Sequence, residues 1–125
     1  MHRSRLAGIC IDCETDDLDG AAEFWSNALG YPSRTDKQFQ NYKTLVSPDS
    51  EIGIEVQQVS HPSRVHLDIE SDDVDAEVLR LESLGAKRLE KIEDWWVLEA
   101  PTGQRFCVVP QQHSFFAETA KRWDD

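Results

Sequence analysis

The stretch Ile11-Asp12-Cys13-Glu14-Thr15-Asp16-Asp17-Leu18-Asp19 returns 56 positions later as Leu67-Asp68-Ile69-Glu70-Ser71-Asp72-Asp73-Val74-Asp75. In a chain of 125 residues such a spacing leaves room for two copies and a short tail, so it predicts two equivalent modules. Pseudo-symmetric halves also place matching residues at matching points of the fold. The repeat therefore works as a ruler for candidate sites.

Each copy opens as a strand. Ile9, Ile11 and Cys13 alternate with Cys10, Asp12 and Glu14, and Val65, Leu67 and Ile69 alternate with His66, Asp68 and Glu70, the period of a strand with one apolar face. An Asp pair follows in each copy, Asp16-Asp17 and Asp72-Asp73, placed to cap a helix. Apolar residues then recur at helical spacing: Leu18, Ala22, Trp25 and Leu29, then Val74, Val78, Leu81 and Leu84. Both helices should stop at Leu-Gly, where Gly30 and Gly85 tolerate a left-handed cap. Three extended pieces come next in each copy, near 33–39, 42–46 and 52–59 and near 87–92, 95–98 and 105–109, broken by turn-rich segments such as Ser47-Pro48-Asp49-Ser50 and Ala100-Pro101-Thr102-Gly103. The expected organisation is one domain of α+β class, with module one at about 5–59, module two at about 64–110, and a tail over 111–125 in which a short helix docks on the body.

Composition narrows the partners. Thirteen Lys and Arg face 24 Asp and Glu, a formal charge of -11 that repels phosphate and so argues against nucleic acid or an anionic membrane surface. No apolar run approaches the roughly 20 residues of a membrane span, and a cytoplasmic location is expected. Cys10, Cys13 and Cys107 form no Cys-x-x-Cys pair and no even set, so reduced thiols are expected. No Gly-x-Ser-x-Gly elbow or phosphate loop is present. His2, His61 and His113 fall near termini or turns, where solvated roles are expected.

With Phe24-Trp25 and Ala28-Leu29-Gly30 ending the first helix, Val65-His66-Leu67-Asp68-Ile69 opening the second module, and Pro101-x-Gly103-x-x-Phe106-Cys107-Val108-Val109 closing it, the chain resembles the vicinal oxygen chelate superfamily, in particular its glyoxalase-like and bleomycin-resistance-like domains. The resemblance runs from about Leu6 to Pro110. It implies two tandem βαβββ modules forming a curled mixed sheet around a cavity, with helices outside. It also implies paired chains, so a homodimer is expected.

Metal-using members of that superfamily draw ligands from the first and last strand of each module, slots that fall here on Cys10, Glu55, His66 and Cys107. His66 and Glu55 are residue types those sites favour, whereas thiols stand at the other two slots. Such a set suits tetrahedral zinc better than a hard, octahedral ion, with Zn, Fe, Mn or Ni, or no metal, all left open. As small, buried side chains, Cys10 and Cys107 also make sense without a metal, and Cys10 with His66 could in principle form a thiol–imidazole pair. By alternation Asp12, Gln57, Asp68 and Arg105 share the inward face, Arg105 having the competing role of an exposed turn residue. Trp95 and Trp96 must face opposite sides, and Trp96 is the one assigned to the cavity.

Three functions stay open on these residues. One is metal-dependent lyase, isomerase or dioxygenase chemistry; the second is metal-free sequestration of a small organic molecule, as in drug resistance; the third is a non-catalytic interaction domain.

Overall fold

A computed structural model describes residues 1–125. In chain order the elements are β1 (His2–Glu14), α1 (Leu18–Leu29), β2 (Ser33–Thr35), β3 (Tyr42–Leu45), β4 (Gly53–Val59), β5 (Arg64–Ser71), α2 (Val74–Ser83), β6 (Lys87–Ile92), β7 (Trp95–Glu99), β8 (Arg105–Pro110), α3 (Phe116–Thr119) and β9 (Lys121–Trp123). The fold is α+β, with the βαβββ order written twice. Two compact units are present, Gly8–His66, called module one below, and Met1–Ala7 with Leu67–Asp125, called module two.

In module one the strand order is β1-β4-β3-β2, with β1 and β4 parallel and the outer pairs antiparallel. Gly8 lies across from Gly53 in this ladder, and a Cβ on Gly8 would fall 2.2 Å from the Gly53 carbonyl oxygen. Only glycine permits that approach. The helix α1 packs on β2, β3 and β4. It buries Ala22 over a face made by Ile11, Leu45 and Val56, which are nearly inaccessible. The Asp17 carboxylate accepts from the Gly20 N–H at 3.0 Å, and Gly30 closes the helix at φ 80°. Leu29, expected on the buried stripe, is 42% exposed.

Module two has the same order, β5-β8-β7-β6, with β5 and β8 parallel and the rest antiparallel. Its core of Val78, Leu98 and Val108 is extended by Val74, Leu81, Ala86, Trp96 and Phe106 beneath α2. Asp73 caps that helix through the Ala76 N–H at 3.0 Å, as Asp17 does in the other copy. The expected stripe is shifted, however. Leu84 is 65% exposed, and the polar Glu77 is fully buried beside Val78.

The cause lies in the chain's first and last residues. The opening of β1 belongs to module two, and β9 pairs with it from His2↔Trp123 to Ser4↔Lys121. His2, expected in solvent, is 2% exposed, with Nε2 2.7 Å from Glu77 and Nδ1 2.5 Å from Asp125. Arg80 adds a two-pronged contact to Glu77 at 2.8 and 2.9 Å and lies 3.7 Å over the Trp123 ring. The second histidine expected in solvent, His113, is half-buried and bonds the buried Glu70 at 2.5 Å. The tail thus docks through α3, whose Phe116 is inaccessible, and also through an added strand.

Candidate functional site

The inner face of module one is the side of its strands turned away from the core under α1. Paired residues on neighbouring strands project to the same side, so the register defines rows of side chains. One row runs Asp12, Gln57, Tyr42 and the next Cys10, Glu55, Thr44, Arg34. His66, at the opening of β5, completes the polar face.

Asp12 is the centre of this group and is 2% exposed. Its Oδ2 lies 2.8 Å from His66 Nδ1, its Oδ1 accepts from the Cys10 thiol at 3.5 Å, and the Arg64 Nε stands 3.8 Å away. The Cys10 thiol, 1% exposed, also contacts Gln57 Oε1 at 3.8 Å. A carboxylate this deep is tolerable only with such partners, because an unpaired buried charge costs several kcal/mol. The ligating atoms of Cys10, Asp12 and His66 all fall within 4.8 Å of one another.

One row further along the parallel pair, the carboxyl ends of β1 and β4 border an open hollow of about 590 Å³ lined by Glu14, Thr15, Asp16, Asn41, Gln58, Val59 and Ser60. Gln58 is fixed there by donating to the Thr15 carbonyl at 2.9 Å. Phe39 and Tyr42, on the neighbouring loop and strand, pack with ring centroids 5.8 Å apart and planes tilted by 60°.

The other sequence-derived candidates lie in module two. Asp68 and Cys107 face each other across β5 and β8, both half-buried. By register Cys107 matches Gln57, since Asp12 pairs with Gln57 as Asp68 pairs with Cys107. That is two residues from the sequence match to Glu55. Arg105 is exposed and paired with Glu99. Trp96 requires a correction: it pairs with Val108 and packs in the core under α2, so that Trp95 takes the opposite face. Cys13 lies on the helix side, where burial pushes its thiol pKa up against a lowering contact with Trp25. Arg64 and Tyr42 escaped the sequence reading. Strand alternation carried a signal for Tyr42, two positions from Thr44, but only the register set it beside Gln57.

The four slots implied for a superfamily metal fit a hard ion poorly, because the buried donor at the first is a thiol and thiolate selects against oxygen-seeking ions. Cys10, Asp12 and His66 instead offer sulfur, oxygen and nitrogen. Tetrahedral zinc spaces such donors about 3.3–3.6 Å apart. Here the Cys10 thiol lies 3.5 Å from Asp12 Oδ1 and His66 Nδ1 lies 2.8 Å from Asp12 Oδ2, so the two contacts use different carboxylate oxygens.

No curated protein sequence matches the chain. Among solved structures, a hypothetical protein, BH1468, from Bacillus halodurans is similar with a TM-score of 0.64 at 12% identity over 89% of this chain and 96% of its own. A variant of the Streptomyces coelicolor methylmalonyl-CoA epimerase bound to 2-nitronate-propionyl-CoA has a TM-score of 0.55 at 16% identity, covering 85% and 93%. The Mn(II)-bound glyoxalase from Novosphingobium aromaticivorans has a TM-score of 0.60 at 14% identity over 88% of this chain and 40% of that one. At these identities the likeness is one of fold. A family profile described as a glyoxalase-like domain matches residues 8–109, and the chain belongs to that family.

Proposed function

We propose that the chain binds a small organic molecule at the inner face of module one, with Asp12 and His66 holding its polar end. The observation that carries this reading is the 2.8 Å contact between the buried Asp12 carboxylate and His66 Nδ1. A carboxylate accepting from Nδ1–H holds the imidazole in one tautomer, with the lone pair on Nε2, the form that accepts a proton or a hydrogen bond. His66 can then act as a base toward a ligand hydroxyl or a C–H acidified by a carbonyl. Gln57 and Tyr42 add neutral polar groups in the same row. Carbonyl compounds are the class this arrangement suits. Pairing of two chains belongs to the same proposal and is checked by light scattering of the eluting protein.

The test is a thermal-shift series of small carbonyl and carboxylate compounds against the wild type, Asp12→Asn and His66→Gln. A ligand at 100 times its Kd should add about 2.7 kcal/mol to the wild type and lose that gain in both variants. A stabilising compound whose effect survives both substitutions would move the binding site elsewhere.

A further inference from the structure

We propose that Arg64 selects carbonyl compounds that carry a carboxylate, binding that carboxylate through its guanidinium while Asp12 and His66 hold the carbonyl end. The inference deepens the functional reading above and rests on it. Its ground is the placing of two side chains around one oxygen. Asp12 Oδ2 has His66 Nδ1 at 2.8 Å and Arg64 Nε at 3.8 Å, and Arg64 and His66 are two positions apart on β5, so both project to the same side of the strand. Exposure is graded across the three: the Arg64 side chain is 41% exposed, that of His66 12% and that of Asp12 2%. A molecule arriving from solvent therefore meets the guanidinium first and the imidazole behind it.

Arg64 is also held in place, unlike a free surface arginine. The half-buried His61 bonds the Pro62 carbonyl through Nδ1 at 2.8 Å, which puts its proton on that nitrogen and leaves the Nε2 lone pair to accept from Arg64 Nη2 at 3.2 Å. Ser63, the residue before Arg64, is fixed in turn by accepting from the Glu14 N–H at 2.9 Å. Ordering a long side chain before the ligand arrives removes much of the entropy cost of binding. The bond to His61 uses one guanidinium N–H, and the 3.8 Å contact with Asp12 is an ion pair beyond hydrogen-bond distance. The other donors keep the planar fork that meets a carboxylate with two parallel bonds. Charge agrees with this role. With His66 neutral, Asp12 alone would repel an anionic ligand, as does the chain's net charge of -11; Arg64 brings the three side chains to neutrality. Glu55 and Arg34, in the neighbouring row of the same face, add one charge of each sign.

Isothermal titration at neutral pH compares benzoylformate and pyruvate with their methyl esters, which keep the ketone and lose the charge. The wild type should bind the acids roughly 10- to 100-fold more tightly than the esters, the range a charge-assisted pair supplies. Arg64→Gln should abolish that preference and leave ester binding within about twofold, whereas Arg64→Lys should keep part of it, because the charge stays and the fork is lost. His61→Ala, which only frees the guanidinium, should lower the preference, and added salt should weaken binding of the acids alone. Circular dichroism confirms that each variant is folded. A preference that survives Arg64→Gln, with only the urea midpoint lowered, would make Arg64 a counterion to Asp12 and overturn the inference, as would equal binding of acid and ester by the wild type. Ester binding that is then still lost in Asp12→Asn and His66→Gln leaves the functional reading standing without it. If neither acids nor esters bind the wild type, both fall.

Discussion

Glu14 in module one and Glu70 in module two occupy matching positions of the repeat, yet Glu14 is an exposed residue lining the open hollow and Glu70 is wholly buried. The tail makes the difference. Gln112 and His113 donate their backbone N–H groups to Glu70 at 2.7 and 3.0 Å, His113 Nδ1 lies at 2.5 Å, and Arg5 reaches it at 2.9 Å. Ser71 and Asp72, which match Thr15 and Asp16 of the hollow, are likewise tied, Ser71 to the Arg3 carbonyl and Asp72 to the Arg3 backbone and side chain. One copy of the motif is sealed by the ends of the chain. The other lines the open hollow at the carboxyl ends of β1 and β4. Duplication thus supplied two equivalent places, and the extra segments stabilise one while the other stays open.

The largest way to break this contrast is to remove a buried carboxylate from each module. Glu77→Ala leaves the buried His2 and the half-buried Arg80 without their shared anion and should cost about 3–5 kcal/mol in urea unfolding. Asp12→Asn keeps a hydrogen-bonding group of the same shape facing His66 and should cost about 1–2 kcal/mol. If the two substitutions prove equally destabilising, Asp12 is as structural as Glu77 and the contrast fails.

A second test uses pH. His2 bonds a carboxylate through each ring nitrogen, which requires the imidazolium. Burial pulls its pKa down, but the hydrogen bonds to Glu77 and Asp125 outweigh it and the pKa is raised. Burial pushes Glu70 and Glu77 up, and hydrogen bonds to the Gln112 backbone and His113, and to Arg80 and His2, outweigh it and lower both. The raised histidine contributes stability that is complete below its unfolded pKa of about 6.5 and is lost as pH rises through the higher folded value. The lowered glutamates contribute stability complete above about 4.3 and lost as pH falls through their folded values. Module two should therefore be firmest between about pH 4.3 and 6.5. The urea midpoint should decline on going from pH 6 to pH 9, and His2→Gln should flatten that decline; a slope unchanged in His2→Gln would contradict the imidazolium.

Much of the architecture was legible because it is written locally. Alternation in Ile9–Glu14 and Val65–Glu70, the Asp pairs and the Leu-Gly stops each lie within one turn or strand, where short-range sterics and hydrogen bonds decide. Alternation put Asp12 on one face with Cys10 and the repeat aligned Cys10 with His66, but the contact of Asp12 with His66, 54 positions apart, was not written in that alignment. Nor was the burial of His2 and Glu77, because the partners stand 75 positions apart and neither has an apolar neighbour pattern that anticipates the other. Trp96 was misassigned for a related reason: two adjacent tryptophans are symmetric in sequence, and only the pairing with Val108 decides which one meets α2.

The smallest test asks where the two modules should behave alike. Asp17 and Asp73 make the same bond, each accepting at 3.0 Å from the N–H three residues on, at the start of helices of similar length. Neither carboxylate is part of the buried networks or of the inner face. Asp17→Ala and Asp73→Ala should therefore each cost about 1 kcal/mol, because an orphan first-turn N–H loses its partner and the helix N-terminus loses a favourable negative charge. Equality within a few tenths, read from paired urea titrations, would show that the repeat is energetically faithful where no extra segment intervenes. A much larger cost at Asp73 has a ready physical route: its backbone N–H donates to the hydroxyl oxygen of Ser71 at 3.1 Å, while that hydroxyl donates to the Arg3 carbonyl at 2.8 Å. In that case the seal on module two extends into its helix cap, and the asymmetry begins at the repeat itself rather than at the tail.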